Sequence, residues 1–158
     1  MLIKKEDYTM DVDVEKTKEY YHQNSLCDCS SCRNFYAQAK EKLRTLDEFL
    51  REFGVCVERP DEIGCVELED MEHYIEVSYT VCGKILEYNK FEIDLNDADS
   101  VLNIVIDDRY VPSEQKDEYF VITVYNILLP WVLDESFPQM PKNTLWDKIK
   151  TFFTKNHN

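Results

Sequence analysis

The apolar residues of this chain change their period once, and that change limits the fold. Phe35, Ala39, Leu43, Leu46, Leu50 and Phe53 recur at three- and four-residue steps, with Lys40, Glu41, Arg44, Asp47, Glu48 and Arg51 on the other side. This is the pattern of one long amphipathic helix. Beyond Pro60 the step becomes two: Ile75, Val77, Tyr79 and Val81 alternate with Glu76, Ser78 and Thr80, as in a strand with one face in a core. Helices that all precede the strands cannot serve as crossovers between parallel neighbours. The order therefore favours an α+β domain with an antiparallel sheet over a parallel α/β fold.

The remaining elements follow from local signals. Residues before Asp13 read as a polar start. Asp13 can cap a helix from Val14 to about Asn24, whose less polar side carries Val14, Thr17, Tyr20 and Tyr21. Gly54 supplies a left-handed stop after the long helix. Strands are expected at 64–69, 74–82, 84–88, around Phe91, Ile93 and Leu95, at 101–106 and at 119–129. Turns are expected at Glu69-Asp70-Met71-Glu72, Asn96-Asp97-Ala98-Asp99 and Val111-Pro112-Ser113. The expected architecture is N-terminal helices packed on an antiparallel sheet of about four to six strands.

Residues 1–137 read as a single domain and 138–158 as a linker with a C-terminal amphipathic helix. Pro138 and Pro141 stiffen the linker, and Leu145, Trp146, Ile149, Phe152 and Phe153 share one side of a helix that Thr144 can cap. Four lysines stand there against the single Asp147. Such a helix can dock on its own domain, on a partner or on a membrane surface.

Charge narrows the choice of partner. The 158 residues hold 32 acidic and 18 basic side chains, for a net charge of -14. That balance argues against nucleic acid, whose binding draws on Lys and Arg, and suits a basic protein. With 13% aromatic residues and only 3 glycines, the chain is expected to fold rather than stay disordered. The most apolar run, 121–133, is broken by Thr123, Asn126 and Pro130, so no transmembrane segment is expected. Met1 to Asp7 lacks the apolar stretch of a signal peptide. A cytoplasmic location and reduced cysteines are the corresponding expectations.

The one concentration of unusual chemistry is Cys27-Asp28-Cys29-Ser30-Ser31-Cys32, directly before a helix. Cys27, Cys29 and Cys32 can fill three corners of a zinc tetrahedron, although the second cysteine pair of ordinary structural sites is missing. His22, Cys56, Cys65, His73 and Cys82 are possible fourth ligands. His22 is the preferred one, being five residues before Cys27. The cofactor expectation is therefore either none or a zinc ion held by Cys27, Cys29, Cys32 and His22. A redox reading uses Cys29-Ser30-Ser31-Cys32 at a helix N-terminus, but Asp28 opposes a thiolate there and no strand leads in. Packing of free thiols between two helices is the third reading.

Other catalytic templates are absent. There is no Gly-rich phosphate loop, no nucleophile elbow and no helical His pair around a Glu. Residues 94–99 lack the glycine and ligand spacing of a calcium loop and read as a solvated turn. No catalytic residue is singled out.

Glu19-Tyr20-Tyr21, the run Cys27 to Phe35, Phe49-Leu50-Arg51-Glu52-Phe53-Gly54-Val55, Arg59-Pro60-Asp61-Glu62 and Leu129-Pro130-Trp131 together resemble a family of small Gram-positive bacterial proteins. That family carries a Cys-x-Cys-x-x-Cys-Arg-Asn-Phe/Tyr motif and has no established activity. The resemblance implies a bacterial cytosolic origin and a recurring cysteine cluster, and transfers no site residues. The functional expectation is a non-enzymatic acidic binding or regulatory protein, of which an immunity protein or antitoxin is one form. The alternative is a structural zinc or thiol-redox protein using residues 27–32.

Overall fold

The computed structural model describes residues 1–68, 71–88, 91–97, 100–108 and 118–138. The order is β1 (Leu2–Lys5), β2 (Tyr8–Val12), α1 (Val14–Gln23), α2 (Ser30–Lys42), α3 (Arg44–Arg51), β3 (Glu62–Leu68), β4 (Met71–Glu87), β5 (Ile93–Asp97), β6 (Ser100–Asp107) and β7 (Tyr119–Pro130). Among the described residues every strand pairing is antiparallel. The α+β class thus holds, with helices against one antiparallel sheet. The C-terminal helix expected near 144–153 lies outside the described residues, as do Ala98, Asp99 and Val111-Pro112-Ser113.

The sheet has seven strands among the described residues, more than the four to six expected. Its order is β1-β2-β4-β7-β6-β5, with β3 also on β4. Two differences from the sequence reading account for the count. Residues 1–12, expected as a polar start, form a hairpin whose turn holds Glu6 at φ 49°. Tyr8, Met10 and Val12 of its second strand enter the core. The segments expected as separate strands at 74–82 and 84–88 are instead one 17-residue strand, β4. Its first half pairs with β3 and its end with β2, so both occupy the same side of it. Gly83 makes the crossing to β2 possible, because a Cβ there would collide with the Asp11 carbonyl oxygen.

The single helix expected over 35–53 is two helices broken at Leu43 (φ −114°, ψ 56°). The break is held from the sheet. Asp97 Oδ2, on β5, accepts the Leu46 N–H at 2.8 Å and so caps α3 in place of a local residue. Asp97, expected in a solvated turn, is 4% exposed. Asp47, expected on the solvent side, is buried as well; it accepts from Arg51 Nε at 2.6 Å and the Val57 N–H at 3.4 Å. Gly54 ends this region at φ 83°, as its position after the helix implied.

The core lies between α2, α3 and the inner sheet face. Phe35, Ala39, Leu46, Leu50 and Phe53 meet Tyr74, Val77, Tyr79, Ile104, Phe120, Ile122 and Val124, all fully buried. Tyr74 rather than Ile75 faces inward: β4 has one more residue than β3 at this point, and Ile75 is left 43% exposed. Opposite it in β7, Asn126 adopts φ 64°. A bulge side by side in two strands changes which parity faces the core. Phe91, expected in a strand, precedes β5 and is exposed. Among the described residues, no helix is long and apolar enough to cross a membrane.

Candidate metal centre

Two clamps present the cysteine loop. The first holds α1, which ends just before the loop. Asp13 caps it through Lys16 N–H at 3.1 Å, Thr17 Oγ1 accepts the Cys82 N–H at 3.0 Å, and Tyr20 and Tyr21 donate to the two Asp61 oxygens at 2.8 and 2.9 Å. Arg59 Nη2 then donates to the carbonyls of Tyr21 and Asn24 at 2.7 and 2.8 Å, which closes the helix C-terminus. The second clamp holds α2. Asn34 is fully buried and uses both ends of its amide: Nδ2 donates to Tyr74 Oη at 3.0 Å and to the Pro130 carbonyl at 3.1 Å, while Oδ1 accepts the Val132 N–H at 2.8 Å. Gln38 adds a bond to the Pro130 carbonyl at 2.8 Å.

Between the clamps, residues 24–29 turn into α2 with Cys29 as its N-cap residue. Arg33 Nε donates to the Asp28 carbonyl at 3.1 Å, and its Nη2 pairs with Glu135 at 2.7 Å. One arginine thereby ties the cysteine loop to the segment after β7.

The sulfurs of Cys27, Cys29 and Cys32 all lie within 4.8 Å of one another. Thiolates at about 2.3 Å from a tetrahedral zinc stand roughly 3.8 Å apart, so small side-chain rotations would close the three sulfurs on one ion. The donor set, three soft sulfurs on a short loop, fits zinc. Cys27 and Cys29 are exposed and Cys32 is buried, which gives the site a solvent side and a protein side. The Cys29 N–H, then the thiols of Cys29 and Cys32, donate to the Cys27 sulfur and draw its pKa below that of a free thiol. Burial, followed by its bonds to Cys29 and Cys27, pushes the Cys32 thiol up. Tyr36 lies against Cys32, and its hydroxyl is raised by burial and then by that sulfur's charge. The same separation permits a disulfide after local adjustment, the other chemistry open to these thiols.

The other residues read as fourth ligands are dispersed. His22 is at the exposed end of α1 and lines an open hollow with Asp13, Glu15, Lys16, Lys18 and Glu19, and it is not among the ligand atoms that converge. Cys56 is exposed and Cys82 is buried where α1 meets β4. His73 is half-buried on β4.

Cys65 is likewise outside the three converging sulfurs, but its strand lies beneath their loop. On β3 it pairs directly with Tyr74, whose hydroxyl reaches the Ser31 carbonyl at 2.9 Å. Burial pushes its thiol up to about 11, with the Ser31 side chain opposing that shift and the Glu72 charge adding to it. Glu72, expected in a turn, is 0% exposed within β4. The sequence pattern hid Glu72, since a glutamate after Glu69 and Asp70 looks like solvated loop. Comparisons of the chain with protein-family models, curated proteins and solved structures return no match.

Proposed function

We propose that this chain is a non-enzymatic binding protein whose fold is completed by a zinc ion at Cys27, Cys29 and Cys32. The supporting observation is the convergence of the three sulfurs within 4.8 Å at the start of α2. Packing alone accounts for the buried Cys32 but not for two exposed thiols turned toward it. The ion's role is structural: it fastens a loop that is otherwise held mainly through Arg33 to the N-terminus of a helix. A site of this kind contributes folding free energy directly.

Elemental analysis of chain purified under reducing conditions, without chelator or metal-binding tag, tests the reading. One zinc per chain, lost in Cys29→Ser, together with a lower melting temperature after chelation, is the expected result. A metal-free chain with six free thiols that takes up no added zinc overturns it.

The net charge of -14 supports a basic protein as the partner, through steering that weakens with salt. A complex with such a partner should dissociate as ionic strength rises. Affinity independent of salt would remove charge as the basis of recognition.

A further inference from the structure

We propose that Cys65 is the fourth ligand, so that the zinc site is a four-thiolate centre joining the start of α2 to edge strand β3. The inference rests on the zinc reading above and specifies its ligand set.

Three observations bring Cys65 to the site. First, the register of β3 shifts between Gly64 and Cys65, where β4 carries the extra Ile75. Bulges of this kind re-aim a side chain, and here the re-aimed residue pairs with Tyr74 under α2. Second, Tyr74, the residue that Cys65 pairs with, donates to the carbonyl of Ser31 at 2.9 Å, so this part of the β3–β4 pair lies beneath the segment between Cys29 and Cys32; the Cys65 sulfur is not among the three that converge within 4.8 Å and would close on them as zinc binds. Third, the surrounding polar groups are poorly satisfied without a cation. Glu72 is fully buried and its Oε1 has no partner. Its Oε2 is 3.2 Å from Tyr74 Oη, whose single proton also serves the Ser31 carbonyl at 2.9 Å. Glu67 and Glu72 are directly opposed across β3 and β4, an unfavourable cross-strand pair unless positive charge lies nearby. A buried carboxylate with one oxygen unpartnered, on the strand pair that carries a half-buried thiol beneath three converging sulfurs, marks a place for a divalent cation.

Glu72 is itself an oxygen ligand in principle. Cys65 is favoured because it pairs with Tyr74, whose hydroxyl reaches the Ser31 carbonyl, and because a soft four-sulfur shell is the commoner structural arrangement for zinc. Among the described residues β3 pairs only with β4. A zinc link through Cys65 gives this edge strand a second attachment, to the helical layer.

X-ray absorption at the zinc edge, on full-length reduced chain loaded with one equivalent of zinc, reads the shell directly. Four sulfurs at about 2.3 Å are expected, changing in Cys65→Ser to three sulfurs and one lighter atom, with zinc retention against a chelator weakened roughly tenfold or more. Three sulfurs and one lighter atom in the unmodified chain, unchanged in Cys65→Ser, overturn the proposal while leaving the three-cysteine zinc reading intact. If the lighter atom is lost in Glu72→Gln, the fourth ligand is Glu72. A chain that binds no zinc overturns both readings. Should Cys65→Ser fail to fold, alkylation of the unmodified native chain answers the same question. Zinc should protect Cys65 along with Cys27, Cys29 and Cys32 while exposed Cys56 is labelled throughout, and labelling of Cys65 that ignores zinc rejects it as a ligand.

Discussion

Removing the Asn34 side chain should destabilise the protein far more than its size implies. The residue is fully buried on α2 and makes three hydrogen bonds, two donated by Nδ2 to Tyr74 Oη and the Pro130 carbonyl and one accepted by Oδ1 from Val132 N–H. Asn34→Ala deletes all three. Tyr74 keeps Ser31 and Pro130 keeps Gln38, whereas the Val132 N–H loses the acceptor seen here. At about 1 kcal/mol net per bond, with part of an unpaired-donor penalty added, the loss is about 3 kcal/mol. With a urea m-value of about 2 kcal/mol/M, the unfolding midpoint should fall by roughly 1.5 M at unchanged slope. Asn34→Asp separates hydrogen bonding from volume. It is nearly isosteric and keeps the bond to Val132, but it turns a donor into an acceptor facing the Pro130 carbonyl and buries a charge. It should cost at least as much as Asn34→Ala at neutral pH, with the deficit narrowing in acid as the introduced carboxyl gains a proton. A midpoint shift under roughly 0.3 M for Asn34→Ala, or an Asn34→Asp variant as stable as the unmodified chain, would refute the reasoning.

Asp97→Ala should cost about 1–2 kcal/mol in chemical denaturation, because α3 loses the sheet-borne acceptor at Leu46 N–H; a loss within 0.3 kcal/mol or so would deny it a capping role. Gly83→Ala should lower stability by roughly 1–3 kcal/mol or more, since φ 153° is unfavourable with a Cβ that would strike the Asp11 carbonyl; an unchanged melting temperature would place the β2 crossing elsewhere. Stability should also fall in alkali. Tyr20 is raised to about 12 by burial and then by Asp61, and Tyr21 and Tyr79 are raised by burial above the ordinary value of 10.0. Their folded-state pKa values exceed the unfolded ones, so their contribution is complete below pH 10 or so and is lost as pH rises toward 12. Urea midpoints that stay constant from pH 9 to 11.5 or so would contradict this.

Legibility in the sequence followed the strength of the local signal. The Asp13 cap, the Gly54 stop and the strands at 64–69, 101–106 and 119–129 could be read because single residues or long runs carried them. The break at Leu43 could not. Neither Gly nor Pro marks it, and α3 resumes with the same apolar face, so the spacing of Leu43, Leu46 and Leu50 suits one helix or two. The acceptor that divides them, Asp97, is 51 residues from Leu46. The first hairpin was hidden by its charged turn, although Tyr8, Met10 and Val12 already alternate. At the candidate site the three-cysteine loop was visible as spacing. The pairing of Cys65 with Tyr74 depends on the extra residue Ile75 in β4, a tertiary feature that no local pattern encodes.

The most direct test of the zinc account is competition titration with a chromophoric chelator, comparing the reduced chain with its Cys27→Ser, Cys29→Ser, Cys32→Ser triple variant. One tight zinc site is expected in the first and none in the second, with the unmodified chain melting at higher temperature once zinc is bound. Equal zinc binding by both proteins, or none by either, would contradict a metal centre at the start of α2.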